Sequence, residues 1–245
     1  MRRYGWLPDI KDQRDYKYKQ PLKRLFLPIP DKVDLRPFCS AVEDQGSLGS
    51  CTAQALAGNV ELLDRKIDGE YSDVSRLFIY YNERLLEGTV NEDSGAFIRD
   101  GIKTLAKQGV CAESLWDYDI NKFTDKPIDE CYKDALDRRI VSYKRLSGVS
   151  DMLSCLADGY PIVFGIGIYE SFETKEVAKT GIVPMPEADE TMIGGHAVLS
   201  CGYDMAKKWF IVRNSWGESW GDKGYFYLPF EYVKKLGSDF WTIRK

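Results

Sequence analysis

Apolar residues fall at Ala53, Leu56, Val60, Leu63 and Ile67, three or four positions apart, which is the spacing of one helix face. The pattern predicts a helix over 51–67, stopped by Asp68 and Gly69. Two further helical patterns follow, at 75–88 under a serine cap at Ser75 and at 94–109 ending on Gly109. A charged connector occupies 117–138, and beyond it the period changes. The runs RRIVSYKRL (138–146), YPIVFGIGIY (160–169), GGHAVLSCGYD (194–204), KKWFIVRNSW (207–216) and KGYFYLPF (223–230) are short and β-branched or aromatic. Glycine, proline or aspartate separates them, as expected of strands in a sheet or barrel. One short helix, 149–159 with Asp151 as its cap, interrupts this half. Residues 1–28 are rich in charge, tyrosine and proline and keep neither period, which predicts an extended segment laid over a surface.

The 44% of hydrophobic residues in 245 is enough for a sizeable core and argues against disorder. A net charge of −4 and the lack of a basic face beyond pairs such as Arg2-Arg3 and Lys234-Lys235 predict no nucleic-acid partner. No apolar run reaches the ~18 residues of a membrane span, so no membrane partner is expected. The first twenty residues hold basic groups without the apolar core of a signal peptide, which puts the expected location in the cytoplasm. The six cysteines at 39, 51, 111, 131, 155 and 201 show no C-x-x-C spacing. With a single histidine in the chain, no metal site is predicted. In a chain of this size without a signal peptide, disulfides are disfavoured.

Cys51 stands where the glycine-rich run QGSLGS gives way to the first helix. Unpaired backbone N–H groups and the positive end of the helix dipole favour an anion there, and a thiolate is one. The other reading is a small buried hydrophobe, the commonest fate of a free cysteine. His196 is the only imidazole available to any chemistry and follows two glycines at the mouth of an apolar run. Asn214 ends the run WFIV, with Trp216 and Trp220 beside it among glycines, a setting that shields a buried hydrogen bond from water.

Gln45, the GSC at 49–51, the histidine, and NSWG at 214–217 with the later WG and GY follow the order of the papain-like cysteine peptidases. The chain resembles that family over about residues 29–228. IPDKVDLRP (29–37) resembles the mature start of such enzymes, and DSGAFIRDGIKTLAKQGV (93–110) their glycine loop and following helix. The resemblance implies an α+β, two-lobe fold with the active-site cleft between a mainly helical left lobe (29–119) and a mainly β-barrel right lobe (120–245). Residues 1–28 then form an N-terminal extension.

It further implies a cysteine-type endopeptidase working through a thiolate–imidazolium pair and an acyl-enzyme thioester. Cys51 would be the nucleophile, His196 the base, Asn214 its orienting partner under Trp216, and Gln45 an oxyanion donor. Gly95 would pair with the substrate backbone, with Ser94 and Ala96 as alternatives in register, and Gly195 would line the cleft. No cofactor is implied, and the partner is a peptide or protein substrate. The extension reads equally as a short pro-segment acting as intramolecular inhibitor, as in a zymogen, or as a permanent strap. Leu48 and Thr52 stand where the family usually carries cysteine and tryptophan, and Gly194 and Gly195 leave the main specificity pocket unassigned. The same residues would serve a related acyl-transfer enzyme, and a catalytically silent peptide binder is the reading from another class.

Overall fold

The computed structural model describes residues 3–245; Met1 and Arg2, and with Arg2 half of the first basic pair, lie outside the described residues, as do the side chains of Lys23 and Leu25. A short strand β1 (Trp6–Leu7) and a second, β2 (Lys32–Asp34), precede the central helix α1 (Cys51–Asp68). Then come α2 (Arg76–Glu87), β3 (Ala96–Phe97), α3 (Ile98–Lys107) and α4 (Asp129–Ala135). The second half holds β4 (Ser142–Arg145), α5 (Val149–Ala157), β5 (Ile162–Tyr169), α6 (Lys175–Thr180) and β6 (Met192–Asp204). It ends with β7 (Trp209–Arg213), β8 (Tyr225–Pro229), α7 (Phe230–Leu236) and β9 (Gly237–Arg244).

Helix α1 is buried on nearly every side from Cys51 to Asp64, because α2 and α3 cover one flank and β6 lies against the other. One apolar face therefore understates its burial. Ile67, assigned to that face, is exposed in the last turn, where the helix runs past its neighbours to the left-handed cap at Gly69. Gly58 lets Arg213 of β7 pass close by, a Cβ there falling 3.1 Å from Nε. Arg213 in turn donates to the Ser40 and Ala41 carbonyls at 2.5 Å each, pinning the chain that leads to the helix.

The sheet of the second half has seven strands, β4-β9-β5-β6-β7-β8 with β2 added on β6. This sheet is the strand-rich lobe expected from the sequence, and among the described residues its end strands β4 and β8 do not pair with each other, so no ladder closes it. β2 comes from the first half of the chain yet joins this sheet, Val33 facing Tyr203. The helix predicted from 94 starts only at Ile98, because Gly95, at φ +72°, and the two residues of β3 are drawn out to pair with β1. Asp151 is not the cap of α5, whose N-cap is Gly148; its carboxylate reaches back to the Ser147 N–H at 2.9 Å.

Residues 3–18 cross from one lobe to the other. After β1, Asp9 accepts from the Arg99 N–H at 3.2 Å and from Trp241 Nε1 at 2.8 Å, and its own N–H donates to Asp239 at 2.7 Å. Asp15 pairs with Arg99 of α3 and with Arg145 of β4, and Tyr18 N–H donates to the Arg145 carbonyl at 2.7 Å. Burial, and next the charge of Asp239, push the Asp9 carboxyl up to about 6. A raised carboxyl stabilises the fold fully below its unfolded value near 3.8, and that contribution is lost as pH rises through about 6. Asp9→Asn is expected to remove a stability change on the order of 2 kcal/mol between pH 4 and pH 7. Thermal unfolding across that range should thus be flatter for the variant than for the parent; equal slopes would show that Asp9 does not titrate in the folded chain.

Candidate active site

Cys51 opens α1, and the loop before it is held from two directions. Gly49 N–H donates to Asp93 at 3.0 Å, and Tyr80 of α2 donates to the same carboxylate oxygen at 2.5 Å. The Tyr80 hydroxyl also accepts from the Gly95 N–H at 3.2 Å, so one carboxylate sets both the nucleophile loop and the edge of β3. From the opposite lobe, Ala197 N–H on β6 donates to Cys51 Sγ at 3.4 Å. The sulfur and the strand that carries His196 therefore meet directly across the lobes.

His196 Nε2 lies 2.8 Å from Asn214 Oδ1, which also accepts the Ser215 N–H at 2.9 Å. That carbonyl oxygen can only accept, so Nε2 carries the hydrogen and Nδ1 is the nitrogen left for proton exchange. Trp216 stacks on the imidazole with centroids 5.0 Å apart, and Phe172 and Trp220 stand edge-on to Trp216 at 5.7 and 4.9 Å. Water is excluded from the His196–Asn214 bond by this aromatic wall. Gln45 is fixed at its oxygen by the Ser215 hydroxyl at 2.6 Å, which turns its amide nitrogen towards the cleft.

The cleft is occupied by the chain itself. Gln45 Nε2 donates to the Arg3 carbonyl at 3.2 Å and to the Leu48 carbonyl at 2.8 Å. Gly5 N–H donates to Cys51 Sγ, and the Gly5 carbonyl accepts from Ala96 N–H at 2.8 Å. β1 runs parallel to β3, Trp6 facing Ala96 and Leu7 facing Phe97. The tyrosine ring of residue 4 lies 6.0 Å from His196 and 6.2 Å from Trp216, and its hydroxyl donates to Glu173. Under this cover Gln45, Cys51 and His196 are fully buried. Burial pushes the thiol up to about 11, against the pull of the Ala197 and Gly5 amides. The covered form thus holds a neutral thiol, although its helix terminus favours a thiolate once water can enter.

The structure brings Gln45, Cys51, His196, Asn214 and Trp216 to one cleft. Gly95 and Gly195 line the cleft, where Cβ atoms would fall 2.1 Å from the Gly5 carbonyl and 2.7 Å from the Trp6 carbonyl. Ser94 does not join them, since its hydroxyl turns back to Thr89 at 2.9 Å and to the Gly95 carbonyl. All six cysteines are free and buried.

Sequence reasoning missed a carboxyl behind the nucleophile. Thr52 Oγ1 donates to Glu83 at 2.6 Å, and burial raises the Glu83 carboxyl well above its usual range. Burial thus favours the neutral carboxyl at Glu83, and its negative charge, where present, pushes the neighbouring Cys51 thiol up. The polar residue at 52 was the available signal, since a threonine in a buried first turn needs a partner.

A family model described as papain family cysteine protease matches residues 29–237. The crystal structure of xylellain, a cysteine protease from Xylella fastidiosa, is similar with 44% identity and a TM-score of 0.91, over 99% of this chain and 96% of that one. A peptidase C1-like protein of Acanthamoeba polyphaga mimivirus is 42% identical over all of this chain and 87% of its own length. Cysteine proteinase 3 of Entamoeba histolytica is 25% identical over 81% of this chain, which spans 62% of that protein.

Proposed function

Because this chain belongs to the papain family of cysteine proteases, we propose that Cys51 is its nucleophile and His196 its acid–base partner in the endoproteolytic cleavage of extended peptide. The supporting observation is that the cleft already grips a peptide by its main chain. One carbonyl sits on Gln45, the next but one on Ala96 N–H, and an N–H points at the sulfur. Main-chain recognition is what a peptidase needs for a variable substrate.

In the open cleft the thiol gives its proton to His196 Nδ1, and the thiolate adds to the substrate carbonyl carbon. The resulting oxyanion accepts hydrogen bonds from Gln45 Nε2 and the Cys51 N–H. Collapse breaks the C–N bond while the imidazolium protonates the leaving amine, giving a thioester. His196 then takes a proton from water, the hydroxide adds to the thioester, and the acid leaves as the thiolate reforms. Asn214 holds the imidazole plane throughout, with Trp216 keeping water from that contact.

Residues 3–9 act in this reading as an intramolecular inhibitor that must leave before substrate enters. Gln45→Ala is expected to lower kcat about a hundredfold with KM nearly unchanged, the loss typical of one oxyanion donor. Steady-state hydrolysis of a fluorogenic peptide checks this. A rise in KM at constant kcat would assign Gln45 to ground-state binding and remove it from the oxyanion site.

A further inference from the structure

β6 and β7 keep one register except at a single point, where Ser200 faces Val212 and Gly202 already faces Ile211. Cys201 is the extra residue between them, a bulge of the kind that re-aims a side chain. Its carbonyl accepts the Leu35 N–H at 2.7 Å, just past the end of β2. The chain then makes a single turn over Arg36–Phe38, and Cys39 N–H closes it on the Arg36 carbonyl at 2.9 Å. That turn sets the Cys39 side chain against the re-aimed Cys201, whose thiol donates a hydrogen bond to the Cys39 sulfur. Two thiols from opposite ends of the chain thus meet in the core, and no step of peptide cleavage uses either of them.

Two further groups complete the cluster. Arg213 of β7 is fixed on the Ser40 and Ala41 carbonyls, and Tyr225 of β8 faces Arg213 in the register. Both hydrogen-bond the Cys39 sulfur. The thiol of Cys201, and after it the guanidinium charge, holds Cys39 below the ordinary thiol range against the effect of burial. Burial, and next the Cys39 sulfur, holds Cys201 well above that range. Exposure separates the sulfurs in the same sense, for Cys39 is 6% exposed and the other five cysteines are at 0%. Tyr225 also lines a surface hollow of about 380 Å³ beside Arg36, Pro37 and Asp222, so one side chain stands between the solvent in that hollow and the Cys39 sulfur. A small oxidant has a path there, and the more thiolate-like sulfur is the one it meets.

We propose that Cys39 and Cys201 form a peroxide-oxidisable dithiol, and that their disulfide staples the segment entering the nucleophile loop to the strand that carries His196. In the first step the Cys39 thiolate attacks one oxygen of hydrogen peroxide. An S–O bond forms, the O–O bond breaks, and the departing hydroxide takes up the proton that Cys39 gave to solvent and leaves as water. The Cys201 sulfur then attacks the sulfenic sulfur of Cys39. The S–S bond forms, the S–O bond breaks, and the hydroxyl departs with the Cys201 proton as a second water. Two thiols are oxidised and one peroxide is reduced. A crosslink between residues this far apart closes a loop of most of the chain, the case in which restriction of the unfolded state is greatest. Cys51, neutral and fully buried under the N-terminal cover, lacks both the charge and the exposure that Cys39 has. It should therefore be oxidised after the pair. The inference is independent of the proteolytic reading.

The test exposes the reduced full chain to a molar excess of hydrogen peroxide and follows it by peptide-resolved mass spectrometry after alkylation in denaturant. One crosslinked peptide pair holding Cys39 and Cys201 should appear, while Cys51 still alkylates fully. The unfolding temperature of the oxidised chain should rise by about 5 °C or more and return on treatment with dithiothreitol. Cys201→Ala should stop the reaction at the sulfenic acid, which dimedone traps on Cys39, and Cys39→Ala should abolish both the crosslink and the adduct. The wild-type peptide map decides the pairing even if a variant does not fold. Oxidation of Cys51 while Cys39 and Cys201 remain free, or full alkylation of both after peroxide, would overturn the dithiol. A Cys39–Cys201 disulfide that leaves the unfolding temperature unchanged would overturn the staple.

Discussion

Gly5→Val is expected to open the cleft and raise the alkylation rate of Cys51 at pH 6 on the order of a thousandfold. A Cβ on residue 5 would lie 1.7 Å from the Gly49 carbonyl oxygen and 2.5 Å from its carbon. Those are backbone atoms beside the nucleophile, held by Asp93, and they cannot swing aside as a flexible side chain would. The covering segment must lift. Lifting it exposes Trp6 and Tyr4, whose burial stabilises the covered state by about 2 kcal/mol each. A bias of about 4 kcal/mol corresponds to roughly one open chain in a thousand. The valine removes that bias without touching Gln45, Cys51, His196 or Asn214. Peptide-resolved mass spectrometry after brief exposure to iodoacetamide measures the rate, and the other five cysteines, all buried, serve as internal references. Unchanged labelling would mean that residues 3–9 do not control access to the thiol.

His196→Ala in the opened chain should have a comparable effect in the opposite direction. The imidazole is both the proton acceptor that makes the thiolate and the donor that releases the amine, so its loss is expected to lower kcat by about 10³-fold or more. No other histidine exists to substitute for it. Reactivity at pH 6 should collapse, because the helix terminus alone must then stabilise the thiolate, and labelling should rise only towards the free-thiol pKa of about 8.5. Asn214→Ala should show a weaker form of the same profile, since the ring survives but loses the acceptor that fixes Nε2.

Much of the site was legible because the chemistry leaves few candidates. One histidine, one cysteine at a glycine-to-helix junction and one asparagine flanked by tryptophans define it. Gln45 was legible only through the resemblance, for nothing local distinguishes a glutamine held by Ser215 from a solvated one. The fold was legible where a local period decides the structure, as in α2 with its Ser75 cap and in the strands of the second half. It was not legible where distant segments meet. Residues 94–97 satisfy a helical pattern, yet pairing with β1 draws them out as an extended edge. Val33 joins a sheet built almost wholly from the other half of the chain. The glycines at 165 and 195 read as strand glycines until Trp6 is placed against them. Ile67 kept the period of α1 but lies beyond the neighbours that bury the rest.

The most direct test of the account is the pH–rate profile of Cys51 alkylation in the wild type, in Gly5→Val, and in Gly5→Val with His196→Ala. The wild-type thiol, whose covered sulfur is pushed up to about 11, should be nearly inert at pH 6. The opened chain should label fast already at pH 6, and that labelling should collapse when the imidazole is removed. If the opened chain instead labels only as pH approaches about 8.5, with the double variant indistinguishable from it, the thiolate–imidazolium pair is absent and the central claim is wrong.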